Sequence, residues 1–392
     1  MTPVFLNALG ILCALGNDSA GVRRNLYAGS SAGMKVREDL IHGRRVHVGV
    51  VEAELPDIEA ELAAYASRNN RMLNAAIAQI RPQIEAARAR YGAERIGIVL
   101  GTGTSGIAEG EAATAHWVHS GTFPAGYDYR QQEISGPSEY LRRALDIGGP
   151  AWTVSTACTS SAKALSSARR LLRSGVCDAV ITGGVDTLCR LTLNGFGALE
   201  SVSQSLCNPF SRHRDGINIG EGAAIFLMTR EPGPVVLLGI GESSDAHHIS
   251  APDPEGRGAE LAMRQALSNA GIAAQDVDYL NLHGTATPQN DLVESHAVAR
   301  VFGTGLPCSS TKPLVGHTLG AAGALEAAFC WLLLQEPAPA PLPPHRWDGE
   351  ADPALAPLEL CGAASEACRC DIAASNSFAF GGNNICLVMG RG

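Results

Sequence analysis

The chain has 392 residues, 45% of them hydrophobic and 5% aromatic, with 44 glycines. Its net charge of -9, from 30 basic and 39 acidic residues without a long Lys/Arg run, argues against a phosphate-backbone partner and so against nucleic acid. The length calls for two halves sharing a core or one large α/β unit, and the small-residue composition predicts close helix contacts.

In chain order, Val4 to Leu15 is apolar but lacks both a basic start and the roughly 20 residues of a membrane span, which predicts a buried first strand. Arg68 to Arg90 is helical in pattern, and Pro82 inside it leaves either one kinked helix or two pieces. Ile96 to Leu100 reads as a strand. The following Gly101-Thr102-Gly103-Thr104-Ser105-Gly106 lacks both the Gly-Lys-Ser/Thr ending of a phosphate loop and the dinucleotide spacing, so a tight turn is expected. Further short apolar runs, Ala179 to Thr182 and Tyr279 to Leu282, alternate with Ala/Leu/Arg-rich stretches, the signature of a layered α/β fold. Glu231-Pro232-Gly233-Pro234 breaks the pattern and divides the chain into halves 1–230 and 231–392. The 11 cysteines show no repeated C-x-x-C spacing, which predicts reduced thiols and a cytoplasmic protein. Cys368 and Cys370 have no second ligand pair at finger spacing, so no metal site is assigned.

Two segments look like distant copies of one unit. Val154-Ser155-Thr156-Ala157-Cys158 leads into a helical stretch from Thr159 to Leu172. Cys308-Ser309-Ser310-Thr311-Lys312 leads through Gly316-His317 into the Ala- and Gly-rich Thr318 to Leu334. If the halves are related by a pseudo-twofold axis, the two helices are central and adjacent, and Cys158 meets His317 across 159 positions of sequence. At a helix start, unpaired N–H groups and the helix dipole are expected to lower the Cys158 pKa, and the turn to expose its sulfur. The same N–H groups suit an oxyanion.

His283 follows the apolar run and opens Gly284-Thr285-Ala286-Thr287-Pro288, a loop able to present it to a cleft, with Thr285 and Thr287 placed to hold a polar amide-bearing arm. His317 lies five residues after Lys312. Lys35, Lys163 and Lys312 are the only lysines among 30 basic residues, so Lys312 beside a histidine points to a compact ammonium placed for a purpose. Near the C-terminus, Phe378, Ala379 and Phe380 followed by Gly381-Gly382 combine rings with flexible glycine, as in a movable pocket wall.

Together these motifs resemble the elongating β-ketoacyl-acyl carrier protein synthases of the thiolase superfamily. The likeness covers nearly the whole chain and rests on Thr156-Ala157-Cys158-Thr159-Ser160, the stretch from Asn208-Pro209-Phe210 to Gly220-Glu221-Gly222, His283-Gly284-Thr285, and Lys312 with Gly316-His317-Thr318. The resemblance implies a duplicated αβαβα layered fold and a dimer, either a homodimer or a heterodimer with a chain-length factor. It also implies substrates delivered on the phosphopantetheine of acyl carrier protein, with no separate cofactor. Position by position, it makes Cys158 the acyl acceptor and gives the oxyanion hole to the N–H groups of Cys158 and Phe380. His283 and His317 would promote decarboxylation of the malonyl thioester for a Claisen condensation. Lys312 and Glu326 would support the histidines, Thr285 and Thr287 would contact pantetheine, and Phe380 would be the gate.

Two positions depart from the family pattern. Ala379 stands where Gly is usual and Asn383 where Thr is common, and a β-carbon at 379 is expected to restrict positive φ and gate motion. A specialised product such as a polyunsaturated or aryl polyene chain follows as an expectation. His317 argues against the ketoacyl synthase III and chalcone synthase types, which pair Cys and His with Asn. Cys158 argues against a non-catalytic chain-length factor. A Cys/His thioester hydrolase is the alternative from another class.

Overall fold

The computed structural model describes residues 2–362 and 367–392. The first half contains β1 (Phe5–Cys13), α1 (Ser19–Tyr27), β2 (Met34–Ile41), β3 (Arg44–Gly49), α2 (Arg68–Tyr91), β4 (Ile96–Gly101), α3 (Ile107–Ser120) and α4 (Gly136–Ala144). It continues with β5 (Ala151–Val154), α5 (Ser160–Arg173), β6 (Ala179–Asp186), α6 (Arg190–Ala198), β7 (Ile219–Gly220) and β8 (Gly222–Thr229). After the Pro/Gly break come β9 (Val235–Ser244), α7 (Arg257–Ala270), β10 (Tyr279–Asn281), α8 (Pro288–Phe302) and β11 (Pro307–Ser309). The chain ends through α9 (Lys312–Val315), α10 (Ala322–Leu333), β12 (Glu359–Leu360), β13 (Ile372–Ala379) and β14 (Asn383–Arg391).

The first apolar run is the expected buried strand β1. The stretch holding Pro82 is one continuous helix, α2, opened by the Ser67 side chain accepting from Asn70 N and closed at Gly92 with φ 81°. Pro82 lies on its exposed side, where a missing N–H costs least.

Among the described residues, eleven strands form one sheet in the order β12-β11-β10-β13-β14-β9-β1-β8-β6-β4-β5. Outward from its centre, β1-β8-β6-β4-β5 and β9-β14-β13-β10-β11 repeat one pattern of two antiparallel pairings followed by two parallel ones. The copies meet where β1 pairs with β9 through Phe5–Val236 and Leu6–Val235 alone. α2 covers the outer face of one copy and α7 that of the other, while α5 and α10 pack between the copies and against each other. The architecture is the thiolase-like αβαβα arrangement. α10 is buried along its whole length, which explains why its sequence is apolar all round rather than amphipathic. At the crossing, a Cβ on Gly323 would sit 2.7 Å from the Ala162 Cβ, so the helices approach to backbone distance. A second sheet, β2-β3-β7, supports the segment that carries His317.

Candidate active site

Cys158 sits between β5 and α5 at the tip of a tight turn. Ala157 adopts φ 52°, a left-handed conformation that reverses the chain just before Cys158. The turn is fixed by Thr156 N donating to Ser160 Oγ at 2.9 Å and by Ser160 Oγ donating to Ala157 O at 2.5 Å. The helix begins at Ser160, one residue later than the expected Thr159.

His317 reaches the same point from the other copy. Its own N–H donates to Asn218 O at 2.6 Å and its carbonyl accepts from Gly220 N at 3.0 Å, which clamps the residue onto β7. Gly316 makes this possible, since a Cβ there would lie 2.7 Å from Gly220 N and φ is 74°. His317 Nε2 lies 2.9 Å from Cys158 Sγ. The His283 ring meets the His317 ring edge-on, with centroids 5.4 Å apart. The sulfur and one nitrogen of each ring fall within 4.8 Å of one another.

The expectation that Cys158 is a preformed, exposed thiolate is corrected. The residue is only 6% exposed, and burial pushes its thiol up to about 12, the nearby Lys312 ammonium opposing this only in part. Desolvation thus outweighs the helix terminus. Burial also drives both imidazoles well below their ordinary value, with Lys312 acting in the same direction. The resting site therefore holds a neutral thiol against neutral imidazoles.

Lys312 is itself buried, and its partner is not the histidine nearest in sequence. Its Nζ donates to Glu326 Oε1 at 2.6 Å and to the His283 carbonyl, and lies 3.5 Å from His283 Nδ1. An ammonium only donates, so Nδ1 of His283 is the acceptor and Nε2 carries the proton. The three-group cluster is compact enough for a zinc-type ion. The adjoining ammonium and the protonated thiol fit it better for stabilising negative charge.

The cysteine and both histidines open onto a cavity of about 490 Å³, whose walls include Phe196, Thr285, Thr287 and Phe380. Thr285 and Thr287 share a hydroxyl contact of 2.9 Å. Phe378 packs edge-on to His283 with centroids 6.0 Å apart, and Phe380 meets the Phe196 ring at 5.5 Å. Ala379 is regular strand paired with Asn383. The positive φ values fall at Gly381 and Gly382, 81° and 74°, so the expected backbone restriction at residue 379 does not arise in this conformation.

The β-ketoacyl synthase N-terminal domain family matches residues 1–232, and the C-terminal domain family matches residues 235–344. The chain belongs to the β-ketoacyl synthase family. It is 32% identical over 411 residues to 3-oxoacyl-[acyl-carrier-protein] synthase 2 of Staphylococcus aureus (strain COL), covering 98% of this chain and 97% of the relative. It is 31% identical over 400 residues to nodulation protein E of Rhizobium sp. (strain N33), covering 98% of each. A chain of the Xenorhabdus doucetiae complex of a ketosynthase (ApeO) with its chain length factor (ApeC) superposes with TM-score 0.96 at 47% identity. That match covers 100% of this chain and 98% of the other. This β-ketoacyl synthase is a condensing acyltransferase.

Several site residues of this synthase were not expected from sequence. Glu294, two turns into α8, accepts from the backbone N–H groups of His283 at 2.8 Å and Gly284 at 2.7 Å, and burial pushes its carboxyl up to about 7. Asp291, one turn earlier, accepts from Phe210 N at 2.8 Å and Ala286 N at 3.2 Å. The available signal is a pair of acids three apart on the helix that follows a His-Gly loop. The glycine-rich loop after β4 is the expected turn, yet its N–H groups do hold an anion. Gly103 N and Thr104 N donate to the buried Asp186 carboxylate at 2.9 and 2.8 Å, and Ala321 N, just before α10, joins them at 3.1 Å.

Proposed function

We propose that the chain extends acyl groups delivered by acyl carrier protein, with Cys158 as the acyl acceptor and His283 and His317 as the decarboxylation pair. The observation that carries the reading is the 2.9 Å contact of His317 Nε2 with Cys158 Sγ beside His283 in one cavity. Cys158 Sγ attacks the carrier thioester, its proton passing to the released carrier thiol, and becomes an acyl thioester. Malonyl carrier then binds with its thioester oxygen towards the two imidazoles. Loss of carbon dioxide leaves an enolate, whose carbon attacks acyl-Cys158 and expels the thiolate. Neutral N–H donors in a dry site stabilise the enolate oxygen without the reorganisation water needs. Lys312 and Glu326 hold His283 in the required tautomer. Thr285 and Thr287 hold the pantetheine arm, Phe380 with Phe378 and Ala379 forms the gate, and the N–H groups of Cys158 and Phe380 form the oxyanion hole.

His283→Ala and His317→Ala each remove a donor, at about 3 to 4 kcal/mol of barrier or roughly 10²- to 10³-fold in condensation. Acylation of Cys158, read by mass spectrometry of its peptide, is expected to fall much less. Full condensation by both variants would overturn the assignment, and free acid in place of carrier-bound product would point to a hydrolase.

The finer reading is a conjugated acyl chain, for which the rings of Phe196, Phe378 and Phe380 at the thiol provide flat, stackable walls. Equal elongation of saturated and polyene carrier substrates would count against it. Residues 1–230 and 231–392 are proposed as the two copies of the duplication, supported by the repeated strand pattern about the β1–β9 junction. A dimer is proposed through β5, which ends the sheet with one side unpaired and Trp152 exposed, the partner being a second copy or a chain-length factor. Eleven free cysteines support a reducing cytoplasmic setting, and no helix among the described residues is long and apolar enough to cross a membrane.

A further inference from the structure

Two of the chain's three lysines lie close to the nucleophile: Lys312 behind His283, and Lys163 at the start of α5. Lys163 is half-buried, and its Nζ donates to Asn383 Oδ1 at 2.7 Å. Asn383 opens β14 directly after Phe380-Gly381-Gly382, the turn whose two glycines are both left-handed. On its other side this turn is held by the segment after β9, where Gly381 N donates to Ile249 O at 2.7 Å and Asp245 N to Gly382 O at 2.8 Å. Lys163 therefore ties the turn to the helix that begins two residues after Cys158.

We propose that the Lys163–Asn383 hydrogen bond is a positioning contact that holds the Phe380 turn beside Cys158 and sets how readily bulky acyl groups reach the thiol. Lys163 has little else to turn to. Burial lowers its pKa, and Glu242, the carboxylate whose charge acts on it, already accepts from Ser166 Oγ at 2.5 Å and Arg170 at 2.7 Å. Asn reaches one bond further than Thr from the backbone, so the asparagine that departs from the family pattern is also the residue able to meet this ammonium. Any swing of the turn that carries Asn383 away strips a half-buried cation of its acceptor, which opposes opening.

The inference rests on Phe380 being the gate, and its test needs only a reactive Cys158 rather than condensation. The full-length protein is labelled with iodoacetamide or with N-dodecyl iodoacetamide, and the Cys158 peptide is quantified by mass spectrometry. Lys163→Met and Asn383→Ala are each expected to raise the long-to-short labelling ratio by about tenfold, the effect of losing one charged hydrogen bond. The double variant should go no further. Asn383→Asp strengthens the contact and should lower the ratio, which gives a reading of opposite sign if Lys163→Met folds poorly. An unchanged ratio in the single variants, effects that multiply in the double, or a raised ratio for Asn383→Asp each overturns the tether. Should condensation proceed normally alongside any of these, the gate reading stands without it. If wild-type Cys158 takes neither reagent, the gate reading falls and the tether with it.

Discussion

At the scale of single residues, the site is governed by desolvation. With Cys158 pushed up to about 12 by burial, its alkylation by iodoacetamide should rise steadily with pH between about 6 and about 9, without levelling off. A plateau reached below about pH 7 would mean that the thiolate is already formed at rest. Both imidazoles lie well below their usual value, so acidification to about pH 6 should leave them neutral and the donor role proposed for His283 intact. Lys312 and Glu326 form a buried pair at 2.6 Å. Lys312→Met strands the carboxylate and is expected to destabilise the fold by about 3 to 5 kcal/mol in urea titrations, with much of the loss recovered in the Lys312→Met/Glu326→Gln double variant. The motifs carrying Cys158, His283, His317 and Lys312 were legible because each pairs a reactive side chain with a turn-forming neighbour. Glu294 and Lys163 were not, because their partners lie far off in sequence or on the backbone. Local sequence also gave the helix start at Cys158 without the surrounding core that reverses its effect on the thiol.

At the scale of elements, catalytic geometry depends on two helices crossing at backbone distance. α5 starts two residues after Cys158, and α10 follows the segment that carries His317. Gly323→Val would drive a side chain into Ala162, where even a Cβ lies at 2.7 Å. The expected cost is about 1 to 3 kcal/mol of stability from overpacking. Condensation should fall more than acylation, since the histidines move relative to the sulfur; equal losses in the two half-reactions would argue against that coupling. The adjacency of these helices could be anticipated from their matching small-residue openings. The continuity of α2 through Pro82 could not, because only the tertiary face on which the proline falls decides whether it breaks the helix. Ala379 looked like a conformational restriction in sequence, yet β13 absorbs it as ordinary strand and leaves the turn to Gly381 and Gly382.

At the scale of the molecule, duplication explains why so much of the fold was visible in a repeated strand-to-helix unit. The proposed partner surface was less visible, since an edge strand is recognisable only once sheet order is known. If β5 pairs across a dimer, Trp152→Asp should shift the sedimenting species towards monomer, whereas an unchanged sedimentation coefficient would place the interface elsewhere. The seam between the copies has a further consequence. Thiol and imidazoles come from opposite sides of it, so a ribosome that has delivered only the earlier copy has made a sulfur with nothing to set it to work. On the proposed roles, competence arrives only when the second copy docks, and a product ended before residue 283 lacks both imidazoles.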